Sequence, residues 1–265
     1  MNDCTATKMR ALLKAALVVG LVSTAASGAF AAEGVELPAQ NWTFSGPFGK
    51  FDRGQLQRGY KVYKEVCASC HSMSLVSFRN LGQPGGPEFS AKAVEALAAE
   101  ATVQDGPNDD GDMFDRPGKA SDRLPAPFAN EQAARASNGG AYPPDLSLIA
   151  KARVGGPDYL YALLTGYGEA PADVQMREGM YYNAYFPGHQ IAMPPPLSEG
   201  AVEYTDGSPA TLDQYAHDVA TFLMWAAEPS LEARHRMGFN VVIFLIILSG
   251  LLYATKKKIW SRVEH

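Results

Sequence analysis

The chain has 265 residues, 46% hydrophobic and 19% charged, which suits one large domain with a real core and excludes a chain disordered throughout. With 25 glycines and 18 prolines it should carry many turns and long surface segments, and with three cysteines it is not a disulfide scaffold. The formal charge of −5 conceals basic ends around a region, residues 32–231, with 14 basic and 25 acidic residues; that field repels nucleic acid and anionic lipid and favours basic partners.

Residues 1–31 combine Lys8, Arg10 and Lys14 with an apolar run over 11–22 and the small-residue end Ala29-Phe30-Ala31, the pattern of a secretory signal peptide cut before Ala32. Ser23, Thr24, Ser27 and Gly28 interrupt the run, so it is too short to anchor the chain. Cys4 leaves with it, and the mature chain keeps only Cys67 and Cys70.

Over 53–67 the residues Leu56, Tyr60, Tyr63 and Cys67 recur at helical spacing, predicting a helix that delivers Cys67 to its end. Further helices are expected over 90–103, over 145–153 after Pro143-Pro144, and over 158–164, closed by Thr165-Gly166. Strand signals are weak, with short pieces at 181–186 and 202–204. The last soluble helix is expected to start with Ser208 as N-cap and Pro209 in first position, to bury Leu212, Tyr215, Ala216, Val219, Phe222, Leu223 and Ala226, and to stop at Glu228-Pro229. Residues 237–255 carry no charge and are followed by Lys256, Lys257 and Lys258, which reads as a transmembrane helix. Four basic residues after the span and two just before it put the tail in the cytoplasm and the acidic domain outside. The expected organisation is a signal peptide at 1–31, an exported domain at 32–230, a juxtamembrane segment and span at 231–255, and a cytoplasmic tail at 256–265.

Cys67-Ala68-Ser69-Cys70-His71 is C-x-x-C-H, the attachment signature of c-type haem. Two thiols two residues apart can form thioethers with the vinyl groups on one porphyrin edge, and the next residue then offers an imidazole to the iron. A zinc site would need further ligands, but no third mature cysteine exists, and His189, His217, His235 and His265 show no paired spacing. A thioredoxin-like dithiol would want a βαβ setting that is missing, and would leave His71 unexplained.

The sixth ligand separates electron transfer from ligand activation. Of nine methionines, Met113, Met176, Met180 and Met193 remain once those in the signal, in the span, on the last helix or too near His71 are set aside. Met193 precedes Pro194-Pro195-Pro196, which stiffen the chain and can hold a weak iron–sulfur bond at little entropic cost. His189, four residues upstream, offers a bis-histidine alternative.

The stretches Tyr63 to Met73 around the pentapeptide, Val103 to Asn108, Arg116-Pro117-Gly118-Lys119, Gly140 to Ser147 (GAYPPDLS), Leu164-Thr165-Gly166-Tyr167 and Ile191 to Pro195 resemble the cytochrome c1 family, the haem subunits of the ubiquinol:cytochrome c oxidoreductase, in a bacterial form. The resemblance implies a mainly α cytochrome c fold with long loop insertions plus one C-terminal transmembrane helix. It implies one covalent haem c, with Cys67 and Cys70 as thioether sites and His71 and Met193 as axial ligands. It also implies that Arg153 and Tyr159 bond the haem propionates and that Asn138 and Pro144 line the pocket. Function follows as an expectation: one electron is taken from the Rieske iron–sulfur protein and passed to a soluble cytochrome c, beside cytochrome b, in a dimeric complex of the inner membrane with the haem domain in the periplasm. No side chain is asked to do substrate chemistry of its own. Some bacterial relatives support the methionine loop with a disulfide, for which this chain has no cysteines; packing by Tyr181, Tyr182 and Phe186 and the prolines must serve instead. Asp105, Asp109, Asp110, Asp112 and Asp115 belong to a field suited to steering a basic cytochrome, and their spacing is not that of a calcium loop. Two rivals are a peroxidase-like haem enzyme, for which no distal acid or base is evident, and a tethered cytochrome serving a terminal oxidase, which only the family motifs tell apart.

Overall fold

A computed structural model describes residues 35–262. The expected signal peptide and Cys4 lie outside the described residues. Seven α-helices, two short 3-10 turns and two two-stranded antiparallel ladders are present among them, which is the expected mainly α class.

Helix α1 (Arg53–Glu65) starts where the Asp52 carboxylate accepts a hydrogen bond from the Gln55 amide at 2.7 Å, satisfying a free N–H of the first turn. It buries Leu56, Gly59, Tyr60, Val62 and Tyr63 as the periodicity requires. A 3-10 turn, Cys67–Ser69, follows directly, so α1 delivers the pentapeptide from its C-terminal end. Helix α6 (Leu212–Ala227) makes with α1 the most extensive helix pair of the fold. Their backbones meet at Gly59, where a Cβ would lie 2.2 Å from the Asp218 carbonyl oxygen and 2.7 Å from the Phe222 Cβ. Around this crossing the Phe222 ring packs on Tyr60 at 5.7 Å, Tyr63 at 5.9 Å and Trp225 at 5.5 Å. Rings of this size, fully buried, contribute about 1.5–3 kcal/mol each. Arg58 reaches across to Asp218, fully buried on α6, at 2.8 Å; Tyr204 Oη (2.9 Å) and Gln214 Nε2 (2.9 Å) also donate to that carboxylate.

Helix α2 (Ala91–Ala99), expected over 90–103, is capped by Ser90 and ends four residues earlier than expected. The reason is tertiary: strand β1 (Thr102–Asp105) pairs with β2 (Phe114–Pro117), and the Gly118 amide bonds the Ala101 carbonyl at 2.8 Å. Arg116 ties the hairpin down through Asp105 and Asp122. The hairpin and the next helix, α3 (Glu131–Ser137), capped by Asn130, were not anticipated. Helix α4 is only Ile149–Ala152, because Asp145 and Ser147 spend their hydrogen-bonding groups on another segment. Helix α5 (Gly156–Thr165) stands close to its expected position and packs on α6. A second ladder pairs β3 (Tyr181–Tyr182) with β4 (Gln190–Ile191). No strand forms at 202–204; instead both main-chain groups of Val202 bond the Tyr215 hydroxyl. The N-cap of α6 is Thr211, not Ser208, whose amide is held by Asp206 at 3.0 Å.

Helix α7 (Leu231–Trp260) runs 30 residues, with mean hydropathy 2.2 over its most apolar stretch, none of it buried. It is longer at both ends than the expected span and takes in Lys256, Lys257 and Lys258 of the expected tail. Its first turn is clasped to the start of α1. Glu232 accepts a fork of hydrogen bonds from Arg53 at 2.6 and 2.9 Å and another from the Phe51 amide at 3.0 Å.

Candidate haem site

The pentapeptide folds back on itself: the amides of Cys70 (3.1 Å) and His71 (2.9 Å) both bond the Cys67 carbonyl. Cys67 and Cys70 are free thiols. Cys67 packs against the core, and burial pushes its thiol up to about 12, with Cys70 adding to the effect, so it stays protonated until modified. His71 Nδ1 lies 2.8 Å from the Pro144 carbonyl oxygen. A carbonyl only accepts, so Nδ1 carries the hydrogen and Nε2 keeps its lone pair. Burial lowers the imidazole pKa, against the smaller opposing effects of this hydrogen bond and of Asp145, and so favours the neutral ring that a metal needs.

Pro144, expected only to line the pocket, therefore orients His71. Its neighbour Asp145 was not singled out from sequence, yet it joins two segments. Its carboxylate accepts from Ser72 Oγ (2.9 Å), the Ser74 amide (2.8 Å) and the Ser147 amide (2.8 Å). Burial alone would raise the Asp145 pKa; the hydrogen bonds from Ser147 and Ser74 outweigh it and hold the carboxyl near 2. Ser147 Oγ then accepts from the Leu75 amide at 3.0 Å, and the Leu146 amide bonds the Ser72 carbonyl at 2.8 Å. A carboxylate directly after Pro143-Pro144 and two residues before Ser147 was the available signal.

Met193 is half-buried, and its carbonyl accepts a hydrogen bond from the Tyr167 hydroxyl at 3.1 Å. The loop leading to it is built on Asn183, fully buried between β3 and β4. Asn183 Oδ1 accepts from the amides of Tyr185 (3.0 Å) and Phe186 (3.1 Å), and Nδ2 donates to the Leu163 carbonyl of α5 at 2.7 Å. Its amide bonds the His189 carbonyl at 3.0 Å. His189, in the left-handed region at φ 58°, stacks on Tyr182 at 5.9 Å, with Nδ1 3.3 Å from the Asn183 carbonyl. Tyr182 and Phe186 are half-buried as expected of supports, whereas Tyr181 is exposed. Sequence reasoning missed Asn183 because a single amide among aromatics has no periodicity.

Arg153 is exposed and bonds only the Ala152 carbonyl, at 3.1 Å, among the described residues. Tyr159 is buried on α5 and lies within electrostatic reach of both Arg153 and Tyr167. Arg153 and Tyr159 thus stand at the N-terminal end of α5, and Tyr167, which reaches Met193, follows its C-terminal end. Asn138 caps α3, donating to the Ala134 carbonyl at 2.7 Å; among the described residues no hydrogen bond joins it to the other candidate site residues.

These residues fit a covalent haem: two unpaired thiols on one tight turn, an imidazole with its tautomer fixed, a thioether loop secured at the backbone, and an arginine free to answer carboxylates. The family model described as "Cytochrome C1 family" matches residues 42–263. "Cytochrome c1" of Rhodospirillum rubrum is 47% identical over 275 residues, covering 97% of this chain and all of that protein. "Cytochrome c1 1, heme protein, mitochondrial" of Arabidopsis thaliana is 52% identical, covering 98% of this chain and 85% of its own length. "Cytochrome b/c1" of Bradyrhizobium diazoefficiens is 58% identical over 84% of this chain, which spans only 35% of that longer protein. With this site at the end of α1 and one long apolar helix beyond it, the chain belongs to the cytochrome c1 family, as a membrane-anchored, haem c-binding electron-transfer subunit of the cytochrome bc1 complex.

Proposed function

We propose that the chain takes one electron from a Rieske iron–sulfur protein and passes it to a soluble cytochrome c, working beside cytochrome b in a dimeric complex. The observation that carries this reading is the His71–Pro144 hydrogen bond of 2.8 Å, which leaves Nε2 as the only nitrogen free for iron in the C-x-x-C-H turn. Haem c, when bound, supplies a one-electron ferric–ferrous couple. Cys67 and Cys70 would hold it through thioethers, and His71 Nε2 and Met193 Sδ would donate to its iron. Arg153, with Tyr159, answers the propionates, since a buried carboxylate without a charged partner is costly. Pro144 aims the imidazole, and Asn138 lines the pocket. A thioether donor would favour the ferrous state and raise the potential. Nothing in this scheme needs a side chain to move a proton.

The acidic tip of the β1–β2 hairpin, with Asp109, Asp110 and Asp112 exposed, supports docking of a basic cytochrome, at a rate that falls with ionic strength. The basic residues after the span support a cytoplasmic C-terminus and a periplasmic haem domain. Visible spectroscopy and redox titration of purified Met193→Leu test the ligation. Loss of the methionine-to-ferric-iron charge-transfer band and a large drop in potential are expected, and an unchanged spectrum refutes it. Gentle solubilisation should recover the chain with b haem and an iron–sulfur protein; recovery with a terminal oxidase instead refutes the placement.

A further inference from the structure

Residues 42–51 form a tight loop that joins the core to the start of α1. The Lys50 amide bonds the Thr43 carbonyl at 3.0 Å, and the Gly49 amide bonds the Gly46 carbonyl at 3.3 Å. Of its four aromatic residues, Trp42, Phe44 and Phe51 are 8%, 5% and 4% exposed, and their rings stack in series at 5.4 and 5.0 Å. Phe48 is the exception, at 73% exposed. It is not loose, because its ring meets Phe239 of α7 edge-on at 5.9 Å. The loop is fixed to that helix twice more, by the Glu232 clasp and by His235 Nδ1, 3.3 Å from the Gly49 carbonyl.

Phe239 is the third residue past Arg236, the last charge before the apolar run; at about 1.5 Å of rise per residue this sets it about 4.5 Å beyond that charge. A rigidly held, water-exposed ring at that depth, beside exposed Met237 and Phe239, matches the interfacial layer, where aromatic rings are favoured. Exposed Lys50 and Arg236 flank the contact, a local basic girdle within an otherwise acidic domain, with the sign suited to lipid phosphates.

We propose that the turn at residues 46–49 is a second membrane contact, in which Phe48 enters the interfacial layer of the leaflet where α7 begins, and Lys50 and Arg236 engage lipid phosphates. Since Asp52 caps α1 and Arg53 is clasped to Glu232, this contact gives α1 a second point, beside α7, that sets its tilt against the bilayer. The inference rests on α7 being the span.

The test uses the haem-loaded mature chain, which lacks Cys4, in vesicles of phosphatidylcholine with a minority of phosphatidylglycerol. Nitroxide labels are attached one at a time to Phe48→Cys, Asp110→Cys at the acidic hairpin tip, and Leu245→Cys in mid-span; the parent chain, whose thiols are consumed by haem, is the unlabelled control. At position 48, collisional relaxation by oxygen should exceed that by a water-soluble nickel chelate several-fold, as at 245, with the reverse at 110. Accessibility at 48 equal to that at 110 overturns the membrane contact while 245 remains lipid-exposed. Nickel access at 245 overturns the span itself. In the intact complex, a label at 48 shielded from both reagents shows a protein neighbour there and overturns lipid as the occupant.

Discussion

Replacing Asp145 by Asn keeps the shape of the joint between residues 72–75 and 143–147 but removes its charge and one acceptor. Hydrogen bonds hold the carboxyl near 2 against its ordinary 3.8; at about 1.4 kcal/mol per pH unit that gap is worth about 2 kcal/mol, and screening at a half-buried site reduces it to about 1–2. An amide oxygen can still accept, but an amide nitrogen cannot, so one of the Ser74 and Ser147 N–H donors, each at 2.8 Å, is left unsatisfied, at about 1 kcal/mol or more. A net loss of about 2 kcal/mol lowers the melting temperature by about 4–8 °C in a domain of this size. The sign of the pH dependence is fixed by the depressed pKa. The stabilisation is fully present above the unfolded-state value near 4 and disappears as pH falls through 2. Melting followed by circular dichroism should separate parent and Asp145→Asn at pH 7 and bring them together near pH 2. The weakened joint should also loosen Pro144, and with it the hydrogen bond to His71, so the ferric absorption of the variant should become temperature-sensitive at lower temperature. If the two proteins melt within a degree of each other at pH 7, or differ equally at pH 7 and pH 2, the carboxylate is not what joins the segments.

Tyr167→Phe removes the hydroxyl that holds the Met193 carbonyl at 3.1 Å, a loss of about 1 kcal/mol; the methionine charge-transfer band should weaken and the potential fall, whereas Tyr182→Phe should leave both in place. Gly59→Ala puts a Cβ 2.2 Å from the Asp218 carbonyl oxygen, forcing α1 and α6 apart at a cost of about 3 kcal/mol by chemical denaturation. Arg58→Met strands the buried Asp218 carboxylate with only Tyr204 and Gln214 as partners and should cost about 3–5 kcal/mol, much of it recovered when Asp218 is replaced by Leu in the same chain.

Periodicity revealed α1 and the apolar face of α6, because each buries one continuous stripe, while the Thr165-Gly166 stop marked α5 and an uncharged run marked the span. It failed where a distant partner decides. The end of α2 is set by a hairpin that pairs across a loop of acidic residues; α4 is shortened because Asp145 and Ser147 serve residues 72–75; and Ser208 lost the cap of α6 to Thr211 because Asp206 had already claimed its amide. In the site, the pentapeptide and the Pro-flanked methionine can be proposed from sequence because covalent and coordination chemistry constrain residue type and spacing. The residues that steady them, Asp145, Asn183 and Tyr167, act through single hydrogen bonds to backbone groups far away in sequence, and no local pattern announces such bonds.

The partners that steady the two proposed axial donors share one property. His71 is aimed by a peptide carbonyl, which never ionises, and Met193 is secured by the Tyr167 phenol, whose pKa burial raises further above its ordinary value. Neither support changes protonation across the range in which cells live, so on this ligation the redox couple should hold a nearly constant midpoint from mildly acidic to mildly alkaline solution. On the proposed ligation, a pH-dependent midpoint would point to a group other than these two supports, such as the propionates assigned to Arg153 and Tyr159.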